Sequence, residues 1–322
     1  MTTHPFISIV LPAHNESKGL SRAVEAIEAV VSQCTDRYEF VIVDDGSTDD
    51  TYQVIEALAD SNPHIRGIRF SRNFGKEAAL LAGLDRATGD VVITMDSDLQ
   101  HPPPVIPELL ALWRQGYKVV NAVKQGRPGD SFMVRLRASV FNRMLSAVGG
   151  IDTRHSSDFK LLDRTAVNIL INDLPERRRF YRGLSDWLGF EQSVVSFTVA
   201  ERAAGEGKWS MLGLIDLAVT AIVSFTSAPL RVVTVLGVAT LTLGFFVGTE
   251  ALWSWFHGRA VSGFTTLITT LLILCSFIMI SLGIIGEYIG KIYEEIKKRP
   301  VYLVASACGA ETRESDDGRA KV

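Results

Sequence analysis

Four short, strand-like runs rich in Val, Ile and Phe constrain this chain more than any other feature: Phe6 to Leu11, Phe40 to Val43, Ile65 to Phe70 and Val91 to Met95. Between them lie segments with helical apolar spacing. Leu20, Val24, Ile27 and Val31 form the first set, Tyr52, Ile55 and Leu58 the second, and an Ala- and Leu-rich stretch through Leu84 the third. Strands alternating with helices of this length predict βαβ units and a mainly parallel sheet. In such a sheet the strands' carboxyl ends share one edge, and ligands bind in the crevice outside it. All four runs end there in polar turns: Pro12-Ala13-His14-Asn15-Glu16, Asp44-Asp45-Gly46-Ser47-Thr48-Asp49-Asp50, Ser71-Arg72-Asn73-Phe74-Gly75-Lys76 and Asp96-Ser97-Asp98-Leu99-Gln100.

The last of these turns has the most specific chemistry. Asp96 and Asp98, two residues apart at the end of a buried strand, would project into the crevice. Hard oxygen ligands of this kind suit Mg²⁺ or Mn²⁺, which bind one or two carboxylates plus substrate phosphates. The plain alternative is an acidic turn capping a helix that begins near Pro102. Asp44 can accept hydrogen bonds from a base N–H or a ribose hydroxyl, or can cap the following helix. We expect Asp44 to read a nucleotide and Ser47 or Thr48 to serve the helix. Ser17 or Asn15 is the expected cap of the first helix. The turn after the second strand lacks the Lys of a phosphate-cradling loop, and no G-x-G-x-x-G follows the first strand. Both features argue against a P-loop NTPase and a dinucleotide oxidoreductase.

Farther along, a fifth strand (Lys118 to Ala122) leads into a basic segment with Lys124, Arg127, Arg135, Arg137 and Arg143. Arg135, Ser139 and Arg143 share one helical face. Such a stripe is commonly a solvated face, but beside an acidic site in a chain that reaches a membrane it suits a phosphate-bearing lipid. Asp158 precedes another strand, and Glu176-Arg177-Arg178-Arg179-Phe180 reads as a membrane-facing or solvated helix end. Val194 to Val199 is a last strand. The following loop, from Glu201 to Trp209, sets Arg202 and Lys208 around glycines, as a clamp on a diphosphate or as a linker.

The chain has 322 residues and a net charge of −3, which offers no electrostatic case for nucleic acid. Its hydrophobic content of 47% is concentrated near the C-terminus. Charge-free runs from Val232 to Thr249 and from Phe264 to Gly286 are long enough to span a bilayer, with Trp253 and Trp255 placed as an interfacial belt. Lys and Arg flank the outer ends, while the connector holds only Arg259, so both termini are expected on the cytoplasmic side. The predicted organisation is a cytoplasmic catalytic domain over 1–208, an interfacial amphipathic helix over 209–228, and two transmembrane helices within 229–299 (about 232–256 and 264–287). A polar tail over 300–322 completes it. The first strand stops at Pro12 without a basic region before it, unlike a signal peptide. Cys34, Cys275 and Cys308 have neither metal nor disulfide spacing.

Taken in order, Pro12-Ala13-His14-Asn15-Glu16, Asp44-Asp45-Gly46-Ser47, Asp96-Ser97-Asp98-Leu99-Gln100, Ser157-Asp158-Phe159 and the Arg202/Lys208 loop resemble family 2 glycosyltransferases. More narrowly, they resemble the polyprenyl-phosphate branch that includes dolichol-phosphate mannose synthases and bactoprenol glucosyltransferases. The resemblance implies an A-type nucleotide-sugar fold with a C-terminal two-helix transmembrane hairpin in a bacterial cytoplasmic membrane, possessing a Mg²⁺ or Mn²⁺ cofactor. It puts Asp96, Asp98 and Gln100 at the metal and diphosphate. Pro12, Asn15, Glu16, Asp44 and Asp45 contact the nucleoside part of the donor, and Arg202 and Lys208 clamp its diphosphate. Arg135 and Ser139 hold the lipid phosphate together with Lys124, which stands where the family often has Arg and lacks that residue's bidentate fork. Asp158 lies at the reaction centre, as a base or an orienting group.

The implied reaction moves one hexose, with glucose from UDP-glucose as the expectation, onto undecaprenyl phosphate with inversion. GDP-mannose or a UDP-amino sugar is the alternative donor, and a non-catalytic partner of a lipid-sugar flippase the alternative class. A Q-x-x-R-W motif, found in processive synthases, is absent from the sequence. The family precedent implies a tetramer.

Overall fold

β1 (Ile7–Ala13) is buried along its whole length and lies at the centre of the sheet. The structure, a computed structural model, describes residues 4–124, 157–174, 176, 180–198, 228–258 and 263–309. After β1 the chain runs through α1 (Leu20–Cys34), β2 (Tyr38–Asp44), α2 (Thr51–Ser61), β3 (Ile65–Phe70) and α3 (Lys76–Arg86) into β4 (Val91–Thr94). β1 pairs in parallel with both β2 and β4, and β2 with β3, so their carboxyl ends share one edge as the polar turns predict. α4 (Ile106–Arg114) and β5 (Val119–Lys124) follow, then β6 (Lys160–Asp163), α5 (Arg164–Asn168), α6 (Tyr181–Trp187) and β7 (Gln192–Phe197). β6 inserts antiparallel between β4 and β5. The predicted strand from Val194 thus begins earlier and ends at Phe197.

The core forms where the apolar faces of α1, α2 and α4 meet the sheet. Leu20, Val24, Ile27 and Val31 of α1 recur at helical spacing and are buried against Ile7, Ile9, Phe40 and Ile42 of the strands. Burying each such side chain contributes roughly 1.5–3 kcal/mol. Ser17 and Asn15, the residues whose type predicts a cap, do not cap α1. Gly19 is its N-cap, and the Ser17 amide instead donates to Asp49 Oδ2 at 3.3 Å. Asn15 is held in a left-handed conformation that belongs to the turn.

The C-terminal segment also departs from expectation. Inside the stretch assigned as polar tail, β8 (Val304–Cys308) pairs antiparallel with β3 and completes the eight-stranded order β7-β5-β6-β4-β1-β2-β3-β8. Tyr302, buried and stacked on Phe70 with ring centroids 4.9 Å apart, anchors it. The small residues of Val304-Ala305-Ser306-Ala307-Cys308 hide this strand from a hydropathy reading, because the partner edge and the Tyr302 anchor set its pairing.

A second unit contains α7 (Ala228–Phe256) and α8 (Phe264–Ile296). Leu230–Phe256 and Leu267–Ile296 have mean hydropathies of 2.0 and 2.6 and are long and apolar enough to cross a membrane. A helix satisfies its own backbone hydrogen bonds, as a hydrocarbon surrounding demands. Exposed Leu241, Phe245, Phe246 and Met279 would be costly in water and are favourable against lipid. The predicted interfacial helix lies, up to residue 227, outside the described residues.

Candidate active site

Asp96 and Asp98 emerge just beyond β4, where the chain leaves the sheet. The Asp96 amide donates to His101 Nδ1 at 2.9 Å, and Leu99 takes a left-handed φ of 58° that turns the segment back on itself. A leucine in this region is uncommon, and such strain recurs where a site dictates the backbone. Gln100 donates to both oxygens of Asp98, from its amide nitrogen at 3.0 Å and from Nε2 at 2.6 Å, and its side-chain carbonyl is an oxygen of the type that ligates hard cations. His101 stacks on Phe159 and is kept neutral: burial lowers its pKa more than Asp96 raises it.

The turn after β1 is locked to the turn after β2. Asn15, with φ 57°, donates from its backbone to Ser47 Oγ at 2.9 Å, and its side-chain oxygen accepts from the Thr48 amide at 2.9 Å. The Glu16 amide donates to Thr51 Oγ1. Asp44 is fully buried; its Oδ1 accepts from the Ser47 amide at 2.9 Å and its Oδ2 lies 3.5 Å from Arg69 Nε. Asp45 accepts from the backbone amides of Phe74 at 2.7 Å and Gly75 at 2.9 Å, thereby fixing the turn after β3. Gly46 is required here. Its φ is +61°, and a Cβ would sit 2.2 Å from the Arg72 carbonyl carbon. Gly75, at φ +98°, then redirects the chain so that α3 begins with Lys76 at the site.

Lys76 ties the crevice together. Its ammonium lies 2.5 Å from Asp96 Oδ1 and 2.9 Å from Asp158 Oδ2. Arg182, from α6, meets the same Asp158 in a two-pronged contact, Nε to Oδ1 at 2.7 Å and Nη2 to Oδ2 at 2.8 Å. Burial alone would raise the Asp158 pKa, but the Arg182 hydrogen bonds and charge, reinforced by Lys76, hold it far below the usual carboxylate range. Beneath this cluster, Thr94 donates to the Asp158 carbonyl at 2.6 Å and bonds the Tyr181 hydroxyl at 2.9 Å. Lys160, wholly buried on β6, donates to Ser185 Oγ at 2.5 Å and lies 4.8 Å over the Tyr181 ring. Burial pulls the Lys160 pKa down to about 7. Glu77, accepting from the Tyr181 amide, is pushed up to about 7, chiefly by burial.

A cavity of about 350 Å³ is bounded by Pro12, Glu16, Asp45, Lys76, Asp96 and Asp98, together with His14, Asn73 and Ser97. That volume falls in the range of small-ligand sites. Its polar wall is acidic: the Glu16 carboxyl is pushed up first by burial and then by the charges of Asp98, Asp49 and Asp96. Among the described residues no three His, Cys, Asp or Glu side chains form a metal cage by themselves. Two carboxylates, an amide oxygen and an excess of negative charge nevertheless fit a Mg²⁺ or Mn²⁺ ion that takes its remaining ligands from water and phosphates.

Of the residues singled out in the sequence, the structure brings Pro12, Glu16, Asp45, Asp96 and Asp98 to the cavity wall. Asn15 and Gln100 sit in adjoining turns, and Asp158 is joined to the cavity through Lys76. Asp44 is not among the residues that line the cavity; its Oδ1 accepts from the Ser47 amide, while its buried Oδ2 has no hydrogen-bond partner among the described residues. Lys124 is exposed at the end of β5 on the same sheet edge. Arg135, Ser139, Arg202 and Lys208 lie outside the described residues, as do Arg177, Arg178 and Arg179 of the run expected to end a helix. The sequence reading did not single out Lys76, Arg182, His101 or Lys160. Lys76 had a usable signal, because it closes the polar turn after the third strand on the ligand edge. Arg182 had none, since only tertiary packing of α6 brings it to Asp158.

A mainly parallel sheet with an antiparallel insertion, carrying Asp96-Ser97-Asp98 beside a cavity of small-ligand size, is the architecture of an A-type glycosyltransferase fold. Residues 8–173 match glycosyl transferase family 2, and the chain belongs to that family. It is a glycosyltransferase. Residues 228–292, which hold α7 and most of α8, match the GtrB C-terminal hairpin. The chain is 37% identical over 301 residues to the bactoprenol glucosyl transferase of Shigella phage SfII, covering 92% of this chain and 97% of that one. A prophage bactoprenol glucosyl transferase homolog of Escherichia coli (strain K12) is also 37% identical, over 92% of this chain and 98% of the relative. An uncharacterized glycosyltransferase of Synechocystis is 39% identical, over 95% and 96%.

Proposed function

We propose that this enzyme transfers a single hexose, glucose from UDP-glucose, onto undecaprenyl phosphate at the cytoplasmic leaflet of a bacterial membrane. The observation that carries the reading is the Asp96–Lys76–Asp158–Arg182 chain of ion pairs. It joins an acidic wall suited to a cation and diphosphate to a cationic pair suited to a phosphate acceptor. The bactoprenol glucosyl relatives, alike over nine-tenths of the chain, support the acceptor class and the sugar. Flanking Lys and Arg outside the two apolar helices support cytoplasmic termini.

In this mechanism Asp96, Asp98 and Gln100 would hold the divalent cation, which supplies charge neutralisation for the departing diphosphate. Pro12, Asn15, Glu16 and Asp45 shape the nucleoside end, and Asp44 supports it from behind by fixing the Ser47 turn. An acceptor phosphate oxygen bonds to the sugar C1 as the C1–O bond to the diphosphate breaks, inverting the anomeric centre and releasing UDP. A phosphate monoester has a second pKa of about 6 and is mostly dianionic at neutral pH, so a strong base is not required. Asp158 suits this chemistry as an orienting group. Two cations hold its carboxylate, and a carboxylate so stabilised is a poor base. Positioning and charge compensation by Lys124, Arg135, Ser139, Arg202 and Lys208 complete the proposed site.

The test is a lipid-product assay with the full-length protein in detergent, Mg²⁺, undecaprenyl phosphate and labelled UDP- and GDP-sugars. Label entering organic solvent from UDP-glucose alone, and lost with EDTA, is the expected result. Label from GDP-mannose or a UDP-amino sugar instead would replace the donor, and no label from any donor with nucleotide binding intact would overturn the catalytic reading.

A further inference from the structure

The Lys76 ammonium occupies the very carboxylate that the proposed cation needs. It sits 2.5 Å from Asp96 Oδ1, so its charge competes with a cation for the same carboxylate. The other Asp96 oxygen faces His101 Nε2 at 3.9 Å, well beyond the Lys76 contact, so Lys76 is the nearest cationic partner of Asp96 among the described residues. Lys76 is also about two-fifths exposed and stands on the first turn of α3, where its long side chain can swing without disturbing the helix. Its second partner, Asp158, belongs to the opposite, acceptor-side cluster. The backbone that carries it is not free to drift, because Asp45 holds the Phe74 and Gly75 amides.

We propose that Lys76 is an exchangeable counterion that couples the donor side of the crevice to the acceptor side. This rests on the proposed cation site at Asp96 and Asp98. With the crevice empty, Lys76 neutralises Asp96 and bridges it to Asp158. When a divalent cation enters with a nucleoside diphosphate, the cation takes Asp96 and the ammonium passes wholly to Asp158. There, with Arg182, it faces the incoming phosphate. No covalent bond changes in the exchange; one cation replaces another at a carboxylate. Donor loading thereby completes the acceptor's charge environment, and an acceptor phosphate meets a weaker positive field before the donor is in place.

The exchange is read by binding and not by turnover. Full-length protein in detergent is titrated with Mn²⁺ in the absence of substrates, with free Mn²⁺ followed by electron paramagnetic resonance. Competition from a half-exposed ammonium predicts that Lys76→Met binds Mn²⁺ about two- to fivefold more tightly than the unsubstituted protein. Arg182→Met removes the same charge from Asp158 without freeing Asp96, and the change expected there is smaller. Unchanged Mn²⁺ affinity in Lys76→Met, or an equal gain in both variants, overturns the counterion role. Asp96→Asn separates the two layers: if it leaves Mn²⁺ binding intact, the cation site itself is wrong; if it abolishes binding while Lys76→Met is neutral, only the exchange is wrong.

Discussion

Replacing Asp158 by Asn tests whether this carboxylate orients or abstracts a proton. The substitution is nearly isosteric, and it strips the shared anion from between Lys76 and Arg182, which approach it at 2.9 Å and at 2.7 and 2.8 Å. Removing one partner of a fully buried pair costs about 3–5 kcal/mol. Here the two cations are about two-fifths or more exposed, so water screens what remains, and a loss of about 1–3 kcal/mol is the discounted expectation. The pH dependence has a definite sign. A carboxylate whose folded pKa is depressed contributes its stability above its unfolded value, about 3.9, and loses it as pH falls through the folded value. The melting-temperature gap between variant and unsubstituted protein is therefore full at pH 7 and narrows below about pH 4. On turnover, an orienting group predicts a kcat about a hundredfold lower at every pH, the scale of a lost positioning contact. The acidic limb remains where the acceptor phosphate, pKa about 6, places it. A product assay across pH 5–9 decides between the roles. If Asp158→Asn removes or displaces the acidic limb, Asp158 is the base and the argument from its two cations is refuted.

Asp98→Asn leaves an exposed side chain of the same shape, so the melting temperature should hold while lipid-linked product falls at least a hundredfold, the scale of a lost electrostatic contact in a transition state; full activity in this variant would remove Asp98 from the cation site. Lys160→Met should flatten the stability–pH curve. With the buried amine near 7 and the unfolded amine at about 10.4, the unfolded chain binds the extra proton across that window, so the unsubstituted protein gains stability as pH rises from about 7 to 10. Thermal melts that show the same slope in both proteins would contradict the lowered amine. Gly46→Ala forces a Cβ to 2.2 Å from the Arg72 carbonyl carbon at positive φ and should cost about 2–4 kcal/mol, seen as a lowered denaturation midpoint; an unshifted midpoint would mean the 46 and 72 turns are not packed together.

The sequence by itself determined the strand–helix alternation, because buried parallel strands must be apolar on both faces and helices must be apolar on one. It also determined the edge where the polar turns gather, since Asp44, Asp96 and Asp98 close strands that run the same way, and the two long charge-free helices, whose length and apolarity are local to the chain. Tertiary structure decided what distance along the chain conceals. Asp44 and Asp45 are adjacent in sequence, yet one is buried beneath the Ser47 turn and the other lines the cavity and holds the Gly75 turn. β8 looks like part of a polar tail until the β3 edge and Phe70 supply its partners. Lys76, Asp158 and Arg182, 82 and 24 residues apart, become one ion-pair chain only because α3, β6 and α6 meet at one edge. Periodicity and turn residues are local properties that a sequence can display; a charge's partner, and hence its basicity, exists only once the chain has folded.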